Sequence, residues 1–378
     1  MNTSPLSWIE ISKNALDHNI NQYKQALGSK QLAAVIKSDA YGHGQLLIAQ
    51  IYQNNRKVSW LCVSNLSEAL FLRNHGITKP ILVLGHIDAP LDTIINKNIA
   101  FICYEKDLLE HANTVGSYYG ASLPIHLKID TGLSRFGLSP EKALDFIGYA
   151  HTLPHITLQG IFTHFAQSQH EDQAFTIEQH RIFTKLLEEI TSSGIKIPIR
   201  HCANSAAATL LDDDVCTLAR IGIGLYGIWP SEAVYINTQT RHPDFNLKHV
   251  ASWKTRITHI RTLPAGITIG YDRTFTIQQP TRIALLPVGY YEGYDRRHSN
   301  NGSVIIRNSA APVLGRVCMN VTMIDITGIP QAITGDTVFL LADHPGVTPH
   351  ELAQRIQSFN PREILTRIHK DIPRMIVD

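Results

Sequence analysis

Ala33-Ala34-Val35-Ile36-Lys37-Ser38-Asp39-Ala40-Tyr41-Gly42-His43-Gly44 reads as a short apolar strand, an abrupt polar run and a glycine-bounded turn into a helix. Residues 32–36 are apolar enough to be buried on both faces, as strands of parallel sheets are. Lys37 follows them directly. A lysine at such an edge either snorkels back to water along its alkyl stem or has chemistry to do. Taken alone, the stretch leaves both readings open.

Outward from it the pattern recurs. Apolar runs at 32–36, 58–63, 81–84, 99–103, 125–129, 156–162, 197–202 and 217–221 alternate with helix-like segments at 44–53, 66–74, 106–118, 140–152 and 171–192. Upstream, Ser12 is a helix cap for a segment that Gly28 ends. The spacings suit βα units rather than hairpins, which leaves an eightfold barrel or a doubly wound open sheet. Near Trp229-Pro230 the texture changes, and by Arg241-His242-Pro243 the alternation has stopped. Strand-like runs at 250–262, 282–288, 303–307, 313–317, 322–326 and 337–341, then a helix candidate at 349–358, predict an antiparallel β-domain. The expected division is a barrel over 1–240 and a β-domain over 241–378.

Composition narrows the partners. At 378 residues, two domains are the default. A net charge of +2 with no Lys/Arg block gives no field for nucleic acid or an anionic membrane. No apolar run reaches membrane-spanning length, and residues 1–10 lack a charged segment followed by an apolar core, so a cytoplasmic protein is expected. Five cysteines, an odd number without CxxC, argue for a reducing compartment and against a zinc site. No metal is expected.

Position then decides between architectures. In a barrel, chemistry sits where strands end and βα loops begin. Lys37 follows the first strand candidate, Asp130-Thr131-Gly132-Leu133-Ser134-Arg135 the fifth, Thr163-His164-Phe165 the sixth and Ala203-Asn204-Ser205-Ala206 the seventh. Arg220 sits at the end of the eighth, directly before Ile221-Gly222-Ile223-Gly224. Phosphate sites in such barrels form after the last two strands, where small residues let backbone N–H groups approach the oxygens. Gly222-Ile223-Gly224-Leu225-Tyr226-Gly227 also matches GxGxxG, but no following helix, strand and acidic residue complete a dinucleotide site, so the match is fortuitous. A phosphate pocket facing a strand-end lysine is what pyridoxal phosphate requires, because burial keeps such an amine reactive as a Schiff-base former.

The motifs closely resemble those of the alanine racemase family, the barrel-type pyridoxal-phosphate enzymes. They are Ala34 to Gly44, Leu127 to Gly137, Thr163-His164-Phe165-Ala166, Ala203-Asn204-Ser205-Ala206, Arg220 to Gly227, Gly270-Tyr271, Pro287-Val288-Gly289-Tyr290 and Gly315-Arg316-Val317-Cys318-Met319, in family order along the chain. The resemblance implies an α/β fold, an N-terminal (β/α)8 TIM barrel with a C-terminal mostly antiparallel β-domain, and interconversion of L- and D-alanine for peptidoglycan. It implies that Lys37 holds the cofactor and acts as one acid/base group, with Tyr271 of a second subunit as the other, so that a homodimer shares its active sites. Tyr41, Ser205, Gly222 and Ile223 would bind the phosphate; His164 and Asn204 would contact Arg220, which faces the pyridine nitrogen. Arg135, Cys318 and Met319 would meet the substrate carboxylate, Tyr290 would stand in the access channel, and Lys128 matches a position carbamylated in some members. The sequence departs from the common pattern at Asp272, Asn320, Arg362 and Lys370. A broader-specificity amino-acid racemase, usually an exported protein, and a non-catalytic pyridoxal-phosphate carrier, usually a lone barrel, are the alternatives.

Overall fold

The computed structural model describes residues 5–358 and 360–378. They fall into two compact units: one comprises Asp17–Ala40 and Gln45–Leu247, the other the described residues up to Leu16 with Tyr41–Gly44 and Lys248–Asp378. The first strand, β1 (Ser7–Ser12), thus belongs with the C-terminal part of the chain.

The first unit holds eight strands: β2 (Gln31–Val35), β3 (Val58–Val63), β4 (Ile81–Val83), β5 (Ile99–Cys103), β6 (Leu123–Lys128), β7 (Ile156–Phe162), β8 (Ile199–His201) and β9 (Leu218–Ile221). All neighbours pair in parallel in the order β8-β7-β6-β5-β4-β3-β2-β9, the nearly closed barrel that the alternation predicts. Leu32, Ala33, Ala34 and Val35 are buried, as a strand covered on both faces must be. The expected helices also form, at Lys13–Leu27, Gln45–Asn54, Leu66–Asn74, Lys106–Tyr119, Ala143–His151 and Ala174–Ser192. Ser12 Oγ accepts from Ala15 N at 3.1 Å, and Gly28 stops that helix at φ +57°. The connection from β4 to β5 carries only a short 3-10 turn, Leu91–Ile94.

One seam differs from the rest. Between β8 and β9 there is no ladder; Thr217 N donates to Arg200 O at 2.8 Å and Arg220 N to Ala203 O at 3.0 Å.

In the second unit, β10 (Ala251–Arg256), β11 (His259–Leu263), β12 (Thr268–Ile269), β13 (Phe275–Thr276), β14 (Thr281–Leu286), β15 (Ser303–Ile306), β16 (Ser309–Pro312), β17 (Thr322–Asp325), β18 (Thr337–Leu341) and β19 (Arg374–Val377) follow one another. A six-stranded sheet has the order β16-β15-β18-β10-β1-β19, beside a three-stranded sheet β11-β14-β17 and the pair β12-β13. Pairing is antiparallel except between β1 and β19.

Two strand expectations change. The run 250–262 is two strands, because Ile257 N bonds Asp336 O while the next amide, Thr258 N, bonds Leu285 O in the other sheet. The run 313–317 is not a strand beyond a bridge from Val313 to Ile324; β16 takes its place. Arg307 and Asn308, at φ 49° and 64°, form the two-residue turn that folds β16 back on β15. Among the described residues no helix is long and apolar enough to cross a membrane.

Candidate active site

The barrel site starts where β2 ends. Ile36 N is held by Cys62 O at 2.8 Å, and after Lys37 the backbone enters a left-handed turn. Ser38, Asp39, Ala40 and Tyr41 have φ of 55°, 54°, 52° and 56°, and none is glycine. Such a conformation costs roughly 1–2 kcal/mol per residue, so other contacts must impose it. Ala40 N donates to Ile36 O at 3.0 Å, and Gln45 bonds this segment twice, through its N to Asp39 Oδ1 at 2.8 Å and its Nε2 to Ile36 O at 3.1 Å. Glu68 ties two strand ends together: Oε1 accepts from Ser38 N at 2.8 Å and Oε2 from Ser64 N at 2.6 Å. Burial, then the Arg135 charge, holds the Lys37 amine below the ordinary lysine value, while Glu68 pulls the other way. A larger free-base fraction at neutral pH is the chemical result.

After β6, Asp130 Oδ1 accepts from the amides of Gly132, Leu133 and Ser134, each at 3.0 Å. Asp130 N and Leu138 N also bond across the base of this loop, to Leu138 O and Lys128 O at 2.9 Å each. The closed loop carries Arg135, exposed, with its guanidinium carbon 5.4 Å from the centre of the Phe136 ring. Lys128, on β6 itself, is buried; burial first, then Arg220 and Arg135, press its amine down to about 7.

Arg220 is the centre of the arrangement. It is 3% exposed, and its hydrogen bonds run to two imidazoles and three carbonyls. Nη1 meets His201 Nδ1 at 2.5 Å and His201 O at 3.2 Å; Nη2 meets Thr163 O at 2.8 Å, and His164 Nδ1 and Cys202 O at 3.2 Å each. Behind it, His201 Nε2 lies 2.9 Å from His126 Nδ1. Burial, reinforced by the Arg220 charge, drives His164 and His201 well below the ordinary histidine value. His126 is lowered to about 3, chiefly by burial. These rings are therefore neutral, so His164 and His201 can each accept a hydrogen bond from the guanidinium and His126 one from His201.

The last two loops converge on Ser205. Its Oγ accepts from Gly222 N at 3.1 Å and Gly224 N at 3.3 Å, and its carbonyl accepts from Tyr23 Oη at 3.2 Å. A Cβ on Gly224 would lie 2.0 Å from that phenol oxygen, so only glycine fits. The expected contact of Asn204 with Arg220 is replaced by a local role. Asn204 bonds Ser168 Oγ through Nδ2 at 2.8 Å and caps the Ala207–Leu210 turn, Oδ1 accepting from Ala206 N at 3.0 Å and Ala207 N at 3.1 Å.

The remaining candidates lie in the second unit. Arg374 Nη2 donates to Gly42 O at 3.1 Å. Burial lowers Arg362, while Tyr41 raises it again, so these two side chains feel each other. Lys370 is exposed and its carbonyl accepts from Arg374 Nη1 at 3.0 Å. Tyr271 is 69% exposed; its neighbour Asp272 pairs with Arg316 at 3.1 Å. Tyr290 N and Tyr291 N donate to Cys318 O and Met319 O at 3.1 and 3.0 Å, and a Cβ on Gly289 would collide with Cys318 O at 2.1 Å. Asn320 Nδ2 donates to Glu292 Oε1 at 2.7 Å, which an aspartate in its place could not do while ionised.

Glu68, His126 and His201 were not singled out in the sequence. Asn65-Leu66-Ser67-Glu68 is a capping-type signal that marks Glu68, and Asn65 Oδ1 indeed accepts from Glu68 N at 2.9 Å. The two histidines sit inside apolar strands, where sequence offers no cue to their pairing.

A barrel with a buried, hydrogen-bonded arginine and a desolvated strand-end lysine at its mouth is the setting of an enzyme site, and its sequence relatives make that enzyme an amino-acid racemase, an isomerase. The sequence matches "Alanine racemase, N-terminal domain" over residues 11–230 and "Alanine racemase, C-terminal domain" over residues 250–376, and the chain belongs to the alanine racemase family. It is 34% identical over 373 residues to the alanine racemase of Desulfovibrio desulfuricans, covering 98% of both chains. It is 37% identical over 380 residues to that of Leptospira interrogans, covering 98% of this chain and 96% of the relative. Among solved structures, alanine racemase of Clostridium difficile 630 superposes with a TM-score of 0.92 at 31% identity, over 100% of this chain and 97% of that one. Alanine racemase from Bacillus anthracis with bound L-Ala-P gives 0.88 at 27%, over 100% and 96%.

Proposed function

We propose that the protein interconverts L- and D-alanine with pyridoxal 5'-phosphate, Lys37 and Tyr271 of a second copy of the chain serving opposite faces of the substrate. The residues fit that cofactor. A low-pKa amine, a buried cation and a Ser205 hydroxyl held by the Gly222 and Gly224 amides, in a loop too tight for a Cβ at Gly224, are groups it needs. When bound, the cofactor would withdraw electrons from the substrate α-carbon and so acidify its proton.

Lys37 would tether it and, once released, hold or deliver a proton at Nζ. Ser205, Gly222, Ile223 and Tyr41 would bind the phosphate, and the Arg362 guanidinium adds a cation near Tyr41. Arg220 carries the reading. A guanidinium offers donors only and keeps its proton, so it cannot stabilise a proton on a pyridine nitrogen. Its partners are neutral imidazoles and carbonyls, which keep it in place without a carboxylate. A weak electron sink favours rapid reprotonation over transamination or decarboxylation.

Arg135, with Cys318 and Met319 of the other copy, would hold the substrate carboxylate, and Tyr290 would line the way in. The exposure of Tyr271 on the single chain supports its use by a second copy. Lys128, neutral in large part near pH 7, is suited to adding CO2 with loss of one proton, and the resulting carbamate would answer the charges of Arg135 and Arg220. The product would serve peptidoglycan precursors. Incubation with alanine in deuterated water tests the reading: exchange of the α-proton with loss of optical activity is expected. Cofactor binding without exchange would overturn it. Running the same assay over a panel of amino acids separates a broader-specificity racemase, and exchange with none marks a non-catalytic carrier.

A further inference from the structure

Behind the β8–β9 seam, four side chains with metal-ligating atoms gather on one side of the barrel wall. His180 comes from the Ala174–Ser192 helix, Cys202 from the end of β8, and Asp213 and Cys216 from the segment leading into β9. The ligand atoms of His180, Cys202 and Asp213 all lie within 4.8 Å of one another. His180 Nε2 is 3.3 Å from Asp213 Oδ1, and Cys216 Sγ is 3.4 Å from Cys202 Sγ. Asp213 is 8% exposed, and its Oδ2 accepts no hydrogen bond, with Lys30 Nζ 3.8 Å away. None of the four donors has a part in the proposed racemisation.

We infer that His180, Cys202, Asp213 and Cys216 form a binding site for a thiophilic divalent cation, Zn2+ by its chemistry. In tetrahedral zinc sites, Zn–S and Zn–N lengths place neighbouring donor atoms about 3.3–3.8 Å apart. The His180–Asp213 and Cys202–Cys216 separations already meet this, and Cys202 Sγ, within 4.8 Å of the His180 and Asp213 ligand atoms, closes on them by about 1 Å on binding, while the Cys216 backbone is tied to Asp213 Oδ1 at 3.2 Å. Each thiol releases its proton to solvent. Two thiolates, one carboxylate and a neutral imidazole around a divalent ion leave a single negative charge, which the Lys30 ammonium balances. The ion would join a helix, β8 and the start of β9 where the barrel has no ladder, and so act as a structural pin. The expectation from cysteine spacing, no zinc site, rests on the absence of CxxC; here the donors come from three separate segments.

The test uses the holoenzyme, expressed without a metal-affinity tag, stripped of metal and titrated with Co2+. One Co2+ per chain is expected, with the red-region absorption of a tetrahedral site, where the cofactor does not absorb, displaced by Zn2+. Cys202→Ser and Asp213→Asn should each weaken Co2+ at least tenfold, and Cys103→Ser should not. Because a buried substitution can unfold the chain, alkylation of the unmodified protein supplies a second readout: Zn2+ should protect two thiols. No tetrahedral absorption, absorption untouched by both substitutions, or two thiols lost to peroxide that Zn2+ fails to protect, would each overturn the site.

Discussion

The mouth of the barrel and the surface around Tyr271 carry the two proposed bases under opposite conditions. Lys37 lies among groups of its own unit that have already desolvated it, and Glu68, Gln45 and the Arg220–His201–His126 series hold the surrounding strand ends in one arrangement. Tyr271, Tyr290, Tyr291 and Met319 are exposed apolar or aromatic side chains on a well-bonded backbone. Large side chains at such exposure are ones that a second copy of the chain would cover. On the proposed reading, one half of the chemistry would be organised within a chain and the other displayed for use by a second copy.

Substitutions at the two bases put that contrast under the greatest strain. Lys37→Ala should abolish α-proton exchange, by at least about a thousandfold, in an assay of alanine racemisation. Tyr271→Phe should lower turnover by about a hundred- to ten-thousandfold while leaving the absorbance of the bound cofactor unchanged. Mixing the two inactive variants should then restore part of the activity; no recovery in a mixture shown to exchange subunits would mean that each chain serves itself.

Lys128 gives a stability effect. Its folded pKa, about 7, is below the ordinary 10.5, so between those values the unfolded chain holds a proton that the native state lacks. Native stability should therefore rise with pH through that window and be lowest below it, by about 5 kcal/mol at most. Denaturant titrations of wild type against Lys128→Met, in CO2-free buffer, should show this difference; with bicarbonate present, a carbamate on Lys128 would erase it. Glu68→Gln keeps the shape but removes the charge that two amides share, and should cost about 1–2 kcal/mol of stability. It should also shift the Lys37 titration to lower pH, because Glu68 pulls that pKa upward. Smallest of all, Asn320→Asp would set two carboxylates face to face at Glu292 and cost about 0.5–1 kcal/mol, measured by thermal melting.

The barrel was legible because its strands are short apolar runs with polar residues at one end, and burial on both faces leaves that pattern in sequence. Lys37, Arg220 and Ser205 could be found for the same reason, as each stands at the carboxyl end of such a run or in the loop just beyond it. The left-handed turn at Ser38 to Tyr41 could not, since Ser, Ala and Tyr carry no signal for positive φ and the contacts that impose it come from Glu68 and Gln45. Arg307-Asn308 was missed as a hairpin turn because it lacks the glycine that usually marks one. His126 and His201 belong to different strands, so their approach exists only after the barrel forms.

That order of assembly has a consequence for a chain leaving the ribosome. β2, which leads to Lys37, pairs on one side with β3 soon after both are made, but its other edge pairs with β9, from Gln31↔Leu218 to Ala34↔Ile221. Until Ile221 emerges, a strand that is buried in the finished barrel presents bare amides and carbonyls to its surroundings. Chains truncated before Leu218 should therefore aggregate more readily than the full-length protein.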